Sequence, residues 1–362
     1  MAGRRNRKHN VFFGITARTL MTISAALLLL SYLAVYVNPA KAWYMTIIGL
    51  LYAPLLAVNS LLFVWALIRR SRAVMIPLVA LLPSVFIAGK YFHLGREVPE
   101  NPDGLKIISY NVGRFALNQS GDYSSWEECC DSLMAFLKSR DADIICLQEF
   151  YADNTAKMRK YLSSKMKGYH LSYYVHENSY SCTGNVTLSR FPALNKGKLD
   201  FEQSANLALY SDYNIGGKVF RVYNCHFQSY NISLSHLAQS MEDDYRKTVR
   251  ETEEKMKRSI IRRPVQVDQV MDNIESCTEE AIVTGDFNDT PMSYTYYRLS
   301  RRRKDSFEEA GSWSGATFSR LRPFLRIDYV LFPKRYDALT HTVHHVGYSD
   351  HYPIETVLNI DK

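Results

Sequence analysis

Two short segments of this chain carry residue types suited to metal-assisted attack of water on phosphorus. One is Thr284-Gly285-Asp286-Phe287-Asn288-Asp289, and the other, nearer the C-terminus, is Tyr348-Ser349-Asp350-His351-Tyr352-Pro353. Carboxylates hold a hard cation, an imidazole handles a proton, and an amide holds a phosphoryl oxygen. The same pattern recurs upstream. Asn111 ends the apolar run Ile107-Ile108-Ser109-Tyr110, and Glu149 ends Ile145-Cys146-Leu147-Gln148. His226 closes Val222-Tyr223-Asn224-Cys225, Asp328 opens Tyr329-Val330-Leu331, and Asp350-His351 follows the last such run. A lone polar residue at a strand end is usually a turn former. So many acids, amides and imidazoles at strand ends in one domain instead predict convergence on one crevice, as happens at one edge of open α/β sheets.

The elements that must position them are legible in outline. Strands are expected at Leu105–Asn111, Ile144–Leu147, His170–Tyr174, Asn185–Leu188, Asn206–Tyr210, Val219–His226, Ala281–Thr284, Ile327–Phe332 and His341–Val346. Residues 125–139 show helical spacing, with Cys130, Leu133 and Leu137 on one face. Leu234 to Cys277 reads as a long charged helical region, broken before Pro264. Strands in series, then alternating with helices, predict a layered α/β or α+β domain. Arg301-Arg302-Arg303-Lys304 reads as a solvated loop. The run from Lys255 to Arg263 reads as one face of a helix balanced by Glu251, Glu253 and Glu254.

The N-terminal third is different in kind. Residues 1–96 hold eleven of the 44 Lys and Arg and no acidic residue, so 33 basic residues remain against 36 acidic ones. The formal charge of +8 therefore belongs to the N-terminal segment, and the rest is slightly acidic, which argues against broad polyanion binding. Three apolar stretches, about 19–37, 43–68 and 73–92, each meet the roughly 20-residue requirement for a bilayer-spanning helix. Arg4, Arg5, Arg7 and Lys8 before the first, and Arg69, Arg70 and Arg72 between the second and third, place those ends in the cytoplasm. Three crossings put everything after about residue 93 on the far side; a signal peptide cleaved near Ala40-Lys41-Ala42 would leave that side unchanged. Glu97–Gly104 is a polar linker, and residues 105–362 form the catalytic domain. Among the six cysteines, Cys146 and Cys225 read as small buried hydrophobes, and the spacing matches no zinc site. Cys129 and Cys130 offer a disulfide participant in an exported domain, with no partner assigned.

Taken in order, Asn111, Glu149, His226, Gly-Asp-Phe-Asn, Arg326-Ile327-Asp328-Tyr329 and Ser349-Asp350-His351 resemble the endonuclease/exonuclease/phosphatase superfamily, over about residues 104–360, in a membrane-anchored bacterial-type member. The resemblance implies a four-layered α/β/β/α sandwich of two packed mixed sheets and a divalent cation, Mg²⁺, with Mn²⁺ as a substitute. It implies that Glu149, with Asn111 and Asp350, holds the metal, and that Asp286 orients or deprotonates the attacking water. Asn288 would hold a phosphoryl oxygen, Asp328 would orient His351, and His226 would contact the phosphate or protonate the leaving oxygen. Asn185 and Asn206 fall where relatives place amides lining the substrate site. Relatives that carry an acid or amide two positions after the first Asn differ from this chain, which has Gly113 there and so favours one tightly held ion.

The expected activity is hydrolysis of a phosphodiester or phosphomonoester by direct water attack. A tethered domain favours a lipid or small phosphoester, with nucleic acid as the alternative and a catalytically silent membrane scaffold as the second. The expected location is a bacterial inner membrane, with the lipid bilayer as a partner and no obligate protein partner.

Overall fold

The computed structural model describes residues 2–94, 99, 102–115, 126–202, 204–230, 245–321 and 325–361. Half of the expected linker, residues 97, 98, 100 and 101, lies outside them. The N-terminal region contains α1 (Ala2–Leu33), α2 (Trp43–Leu50), α3 (Tyr52–Ile68), α4 (Met75–Leu81) and the two-residue strand β1 (Phe92–His93). The C-terminal region follows with β2 (Leu105–Asn111), α5 (Trp126–Arg140), β3 (Ile144–Ala152), α6 (Thr155–Lys165), β4 (His170–Glu177), β5 (Cys182–Ser189), β6 (Ala193–Asp200), β7 (Leu207–Ile215) and β8 (Lys218–His226). It continues with α7 (Tyr245–Glu275), β9 (Glu280–Asp286), α8 (Tyr294–Ser300), β10 (Arg303–Asp305), α9 (Ser306–Ala310), β11 (Trp313–Ser314), β12 (Asp328–Pro333), β13 (Asp337–Val343) and β14 (Ile354–Asn359).

Two six-stranded sheets result, ordered β13-β14-β2-β3-β5-β4 and β10-β12-β9-β8-β7-β6. Only β2/β3 and β8/β9 pair in parallel within them. Strand side chains alternate between faces, and the sequence obeys this. Ile107 and Ile144 point between the sheets, against Phe220, Val222, Ile282 and Val330. Their neighbours Ile108 and Ile145 face outward, against Leu133 and Leu137 of α5. On the other side Val267 and Val270 of α7 and Leu299 of α8 cover Val283 and Leu331. The expected α/β/β/α sandwich is therefore the architecture found.

Several local expectations need correction. Helix α7 runs through Pro264 without a break. Proline removes one backbone hydrogen bond, and burial of Ile260, Val267, Val270 and Met271 along that face holds the helix together. Arg303-Lys304 is no solvated loop: it belongs to β10, which pairs with β12, and Arg303 is buried with Nη1 donating to the Leu299 carbonyl 2.9 Å away. Strands β6 and β14 were not anticipated at all. The strand expected over His341–Val346 spans Asp337–Val343 instead. All six cysteines are free thiols, and Cys146 and Cys225 are fully buried as expected.

The N-terminal region also departs from three straight helices. Ile15–Tyr36 is long and apolar enough to cross a membrane, as a span or as a signal sequence. The second stretch is a pair, α2 and α3, bent by 52°. Pro54 has no N–H to give the Leu50 carbonyl, which ends α2 one residue before the kink. The third stretch stops being α-helical at Leu81, and Pro83 starts a 3₁₀ turn over Leu82–Phe86. This region packs on the catalytic domain: Met292 shares an apolar cluster with Leu28, Tyr52 and Ala80. Gly49 lies so close to the Met292 carbonyl that a Cβ there would come within 2.4 Å of it.

Candidate active site

Strand register alone assembles much of the site. Asp286 at the end of β9 is the cross-strand partner of Asp328 in antiparallel β12 and of His226 in parallel β8. On the facing sheet, Asn111 at the end of β2 pairs with Gln148, next to Glu149. A bulge between Leu147 and Phe150 gives Glu149 a left-handed φ of 53° and turns its carboxylate off the ladder. Asn288 is likewise left-handed, at 52°. Backbone strain of this kind gathers where function holds a side chain in place.

The side chains then connect. Asn111 Nδ2 donates to Asp286 Oδ2 at 2.9 Å and to Glu149 Oε1 at 3.3 Å, tying the two sheets' acids together. The Asn288 backbone N–H donates to Asp286 Oδ1 at 2.7 Å, and its amide nitrogen donates to Asp286 Oδ2 at 3.1 Å. His226 Nε2 lies 3.4 Å from Glu149 Oε1 and 3.8 Å from Asp286 Oδ2. His351 Nε2 approaches the same Asp286 oxygen at 3.8 Å, while its Nδ1 is hydrogen-bonded to Asp328 Oδ2 at 3.0 Å. That second contact fixes the ring's orientation, as a buried acid does for a catalytic imidazole.

Burial and charge set the protonation. Burial alone would lift the Glu149 carboxyl, but His226, the Asn111 amide, Arg114 and His351 together hold it below its usual range. Desolvation pushes Asp286 up to about 6, with Asp328 adding to the rise and His351 and His226 opposing it. Burial disfavours charge on His351, yet Asp328 and Asp286 overcome it and raise the imidazole to about 10. The site thus sets an imidazole that favours its cationic form against a carboxyl whose acidity burial weakens.

Asn111, Glu149, His226, Asp286, Asn288, Asp328 and His351 are brought together as expected from the sequence. Asp350 is more peripheral. Its carboxylate sits at the rim, 3.6 Å from Arg320 Nε, and beside Gly113. Gly113 has a φ of +55°, and a Cβ there would meet Ser349 Oγ at 2.9 Å and Asp350 Oδ1 at 3.2 Å. An acid at 113 would clash with the one at 350, so glycine there leaves room for Asp350. Asn185 is buried, donating to the Asn224 carbonyl at 3.0 Å, and Asn206 donates to the Phe227 carbonyl at 3.1 Å. Both line a cleft of about 910 Å³ whose lining also includes Glu149 and His226.

The oxygen-rich donors suit a hard divalent cation. Among the described residues, Asp328 Oδ1 and His226 Nε2 are buried without a hydrogen-bond partner, as expected beside a group that a folded chain alone does not supply. Ligand atoms of Asp286, Asp328 and His351 lie within 4.8 Å of one another. The His351–Asp328 hydrogen bond uses Nδ1 and Oδ2 of that group, and Glu149, a quarter exposed at the cleft, is open to a cation arriving from solvent.

A family model described as the endonuclease/exonuclease/phosphatase family matches residues 108–351. The chain belongs to the endonuclease/exonuclease/phosphatase family. Members of this family are divalent-metal-dependent hydrolases of phosphate esters. Residues 11–91 match a second model, described as a domain of unknown function. No curated protein matches the chain by sequence. A family structure from Beutenbergia cavernae is 17% identical, covering 71% of this chain and 72% of its own, with a TM-score of 0.51. One from Bacteroides vulgatus is 15% identical, covering 72% and 100%, at 0.52. A mannosyl-6-phosphatase from Bacteroides thetaiotaomicron is 16% identical, covering 71% and 100%, at 0.51. At these identities the likeness is one of fold.

Sequence reasoning missed Arg114, whose Nε lies 3.4 Å from Glu149 Oε2. It also misread Arg263, which is buried and paired with Asp289 at 2.8 Å, steadying the Gly-Asp-Phe-Asn-Asp loop. Both needed contacts far apart in sequence.

Proposed function

We propose that the protein is a membrane-anchored, Mg²⁺-dependent phosphoesterase that cleaves a lipid or small phosphoester by direct attack of water. One observation carries this reading: Asp286 Oδ2 is hydrogen-bonded to Asn111 and Asn288 and lies 3.8 Å from both His226 and His351. An acid held between two imidazoles can orient water for in-line attack on phosphorus. In the reaction the water oxygen bonds to phosphorus, the ester P–O bond breaks, and the departing alkoxide takes a proton. Glu149 and Asn111 would hold the cation, with Asp350 at the rim; when bound, it neutralises charge on the phosphoryl oxygens. Asn288 and the cationic His351 stabilise the charge that develops on those oxygens. His226, whose Nε2 lies beside Glu149 and Asp286 but makes no hydrogen bond, would contact the phosphate or protonate the leaving oxygen.

The membrane assignment rests on the span-length helix Ile15–Tyr36 and on large apolar side chains left bare around it, among them Leu61, Ile68, Val85 and Phe86. Bare apolar surface of this extent suits lipid. By the positive-inside rule the N-terminus and the Arg69–Arg72 loop are cytoplasmic, and a catalytic domain outside a bacterial inner membrane then requires the shorter apolar stretch Arg72–Phe86 to cross as well.

The test uses the full-length protein in detergent with bis(p-nitrophenyl) phosphate, phospholipids, sugar phosphates, DNA and RNA, each with Mg²⁺ and with EDTA. Mg²⁺-dependent cleavage of a small or lipid ester is expected. Hydrolysis confined to nucleic acid, falling steeply with added salt through counterion release, would show a nuclease instead.

A further inference from the structure

Met292, buried among Ala25, Leu28, Tyr52 and Ala80, is a side chain of the C-terminal region seated inside the N-terminal helices. Gly49 makes the seat possible, because a Cβ there would come within 2.4 Å of the Met292 carbonyl and 3.0 Å of the Ala34 Cβ. Small residues let backbones approach this closely. Tyr36 extends the contact onto α8, its ring centre 5.0 Å from that of Tyr297. Lys90 adds an ion pair with Glu308 at 3.3 Å and sits over the Tyr296 ring. A tether alone needs no such seat.

The segment held there carries catalytic residues. Met292 lies four residues after Asn288, and from Asp286 to Ser293 every residue but Asn288 is buried. Asn288 has left-handed backbone, which persists only where its surroundings fix it. Upstream, the Phe287 N–H donates to the Ile327 carbonyl at 2.8 Å. Downstream, Arg263 and the Tyr329 hydroxyl fix Asp289, and the N-terminal helices fix Met292. A second path reaches the other side of the site. Strand β1 pairs with β11, and the Gly315 N–H donates to the Tyr91 carbonyl at 3.1 Å. Two residues on, Thr317 Oγ1 accepts from the backbone N–H of Ile327 and of Asp328, at 3.1 and 3.2 Å. Phe318 forms a β-bridge with His351, its ring centre 5.2 Å from the imidazole. The N-terminal region is thus joined to both segments that place the Asp286–His351 pair.

We propose that the N-terminal helices brace the active site as well as anchor it, with Gly49 and Met292 as positioning residues that act through Asn288. The inference rests on the phosphoesterase reading and adds to it a dependence of turnover on packing within the membrane region.

Full-length variants in detergent, assayed with bis(p-nitrophenyl) phosphate and Mg²⁺, separate a brace from a merely structural contact. Gly49→Ala suits a helix better than glycine does, yet its Cβ must push the Met292 backbone aside. Gly49→Ala and Met292→Ala should each lower kcat per folded molecule by about tenfold or more, with KM within about twofold, because small misplacements cost large factors. Met292→Leu, close to methionine in volume, should restore most of the rate. Asn288→Ala should itself lower kcat by about 10²–10³, leaving measurable turnover. In that background Met292→Ala should change kcat by less than about twofold, since residues that act through one another are not additive. Leu61→Ala, at a bare apolar position, should leave the rate unchanged. Parental kcat in folded Gly49→Ala and Met292→Ala, or a Met292→Ala effect undiminished without Asn288, would overturn the brace while sparing the phosphoesterase reading. A parent that cleaves no bis(p-nitrophenyl) phosphate would instead remove that reading.

Discussion

Two buried aspartates of the same sheet, Asp305 on edge strand β10 and Asp286 on β9 with only β12 between them, meet opposite fates. Asp305 accepts from both terminal nitrogens of Arg326, at 3.1 and 2.5 Å, from the Tyr296 hydroxyl at 2.8 Å and from the Phe307 backbone N–H at 2.9 Å. Burial would raise its carboxyl, but Arg326 and these donors hold it below the usual range. Asp286 has amides and two imidazoles in place of a guanidinium, with Asp328 as a cross-strand neighbour, and is pushed up instead. A guanidinium saturates an acid and fixes its charge. Imidazoles at 3.8 Å leave the charge and its lone pairs available. The Asp305 corner is built for stability and the Asp286 corner for chemistry.

This contrast predicts a clean separation of effects. Asp286→Asn should lower kcat by about 10³ or more while chemical denaturation shows stability unchanged or slightly improved. Asp305→Asn should do the reverse, costing about 3–5 kcal/mol because Arg326 is left buried and unpaired, with turnover per folded molecule retained. Comparable losses of stability in both variants would erase the distinction. Replacing both partners, Asp305→Leu with Arg326→Met, should recover most of that loss, as apolar replacement of a whole buried pair often does. Denaturant midpoints of the single and double variants check it.

The smallest effect concerns Glu355 on β14, another buried acid of the saturated type. It accepts from Arg140 at 2.7 and 3.0 Å and lies 3.1 Å from His344, and despite burial these partners bring it down to about 2. A depressed carboxyl contributes stability above its unfolded value of about 4.3 and loses it as pH falls toward 2. Glu355→Gln should therefore cost about 1–2 kcal/mol at pH 7, and the gap to the parent should close in melts recorded below pH 4.

Much of the site was legible because strand period is a local property. Apolar runs ending in Asn111, Glu149, His226 and Asp286 announced strands whose tips align, and β-pairing did the rest. Gly285 shows the same economy. At a φ of +130°, a Cβ would come within 1.9 Å of the Cys225 carbonyl on β8, so the motif's glycine is required by the parallel pairing that sets His226 beside Asp286. The missed features depend on distant contacts. The reading of Pro264 as a helix breaker ignored the packing of α7 against the sheet. Arg114 approaches Glu149 only because three consecutive residues, Gly113 to Phe115, take left-handed backbone after β2, a turn with no signature beyond the glycine. Strand β14, antiparallel to β2, was overlooked although Ile354-Glu355-Thr356-Val357-Leu358 is rich in β-branched residues.

The central claim is that Glu149, Asp286 and His351, far apart in sequence, act in one metal-dependent phosphoryl site. Steady-state hydrolysis of bis(p-nitrophenyl) phosphate by the full-length protein and by Glu149→Gln, Asp286→Asn and His351→Ala tests it most directly, with Mg²⁺ and with EDTA. The parent should turn over only with Mg²⁺, and each variant should fall by about 10³ or more in kcat while melting like the parent. Mg²⁺-dependent turnover that survives in all three folded variants would contradict it.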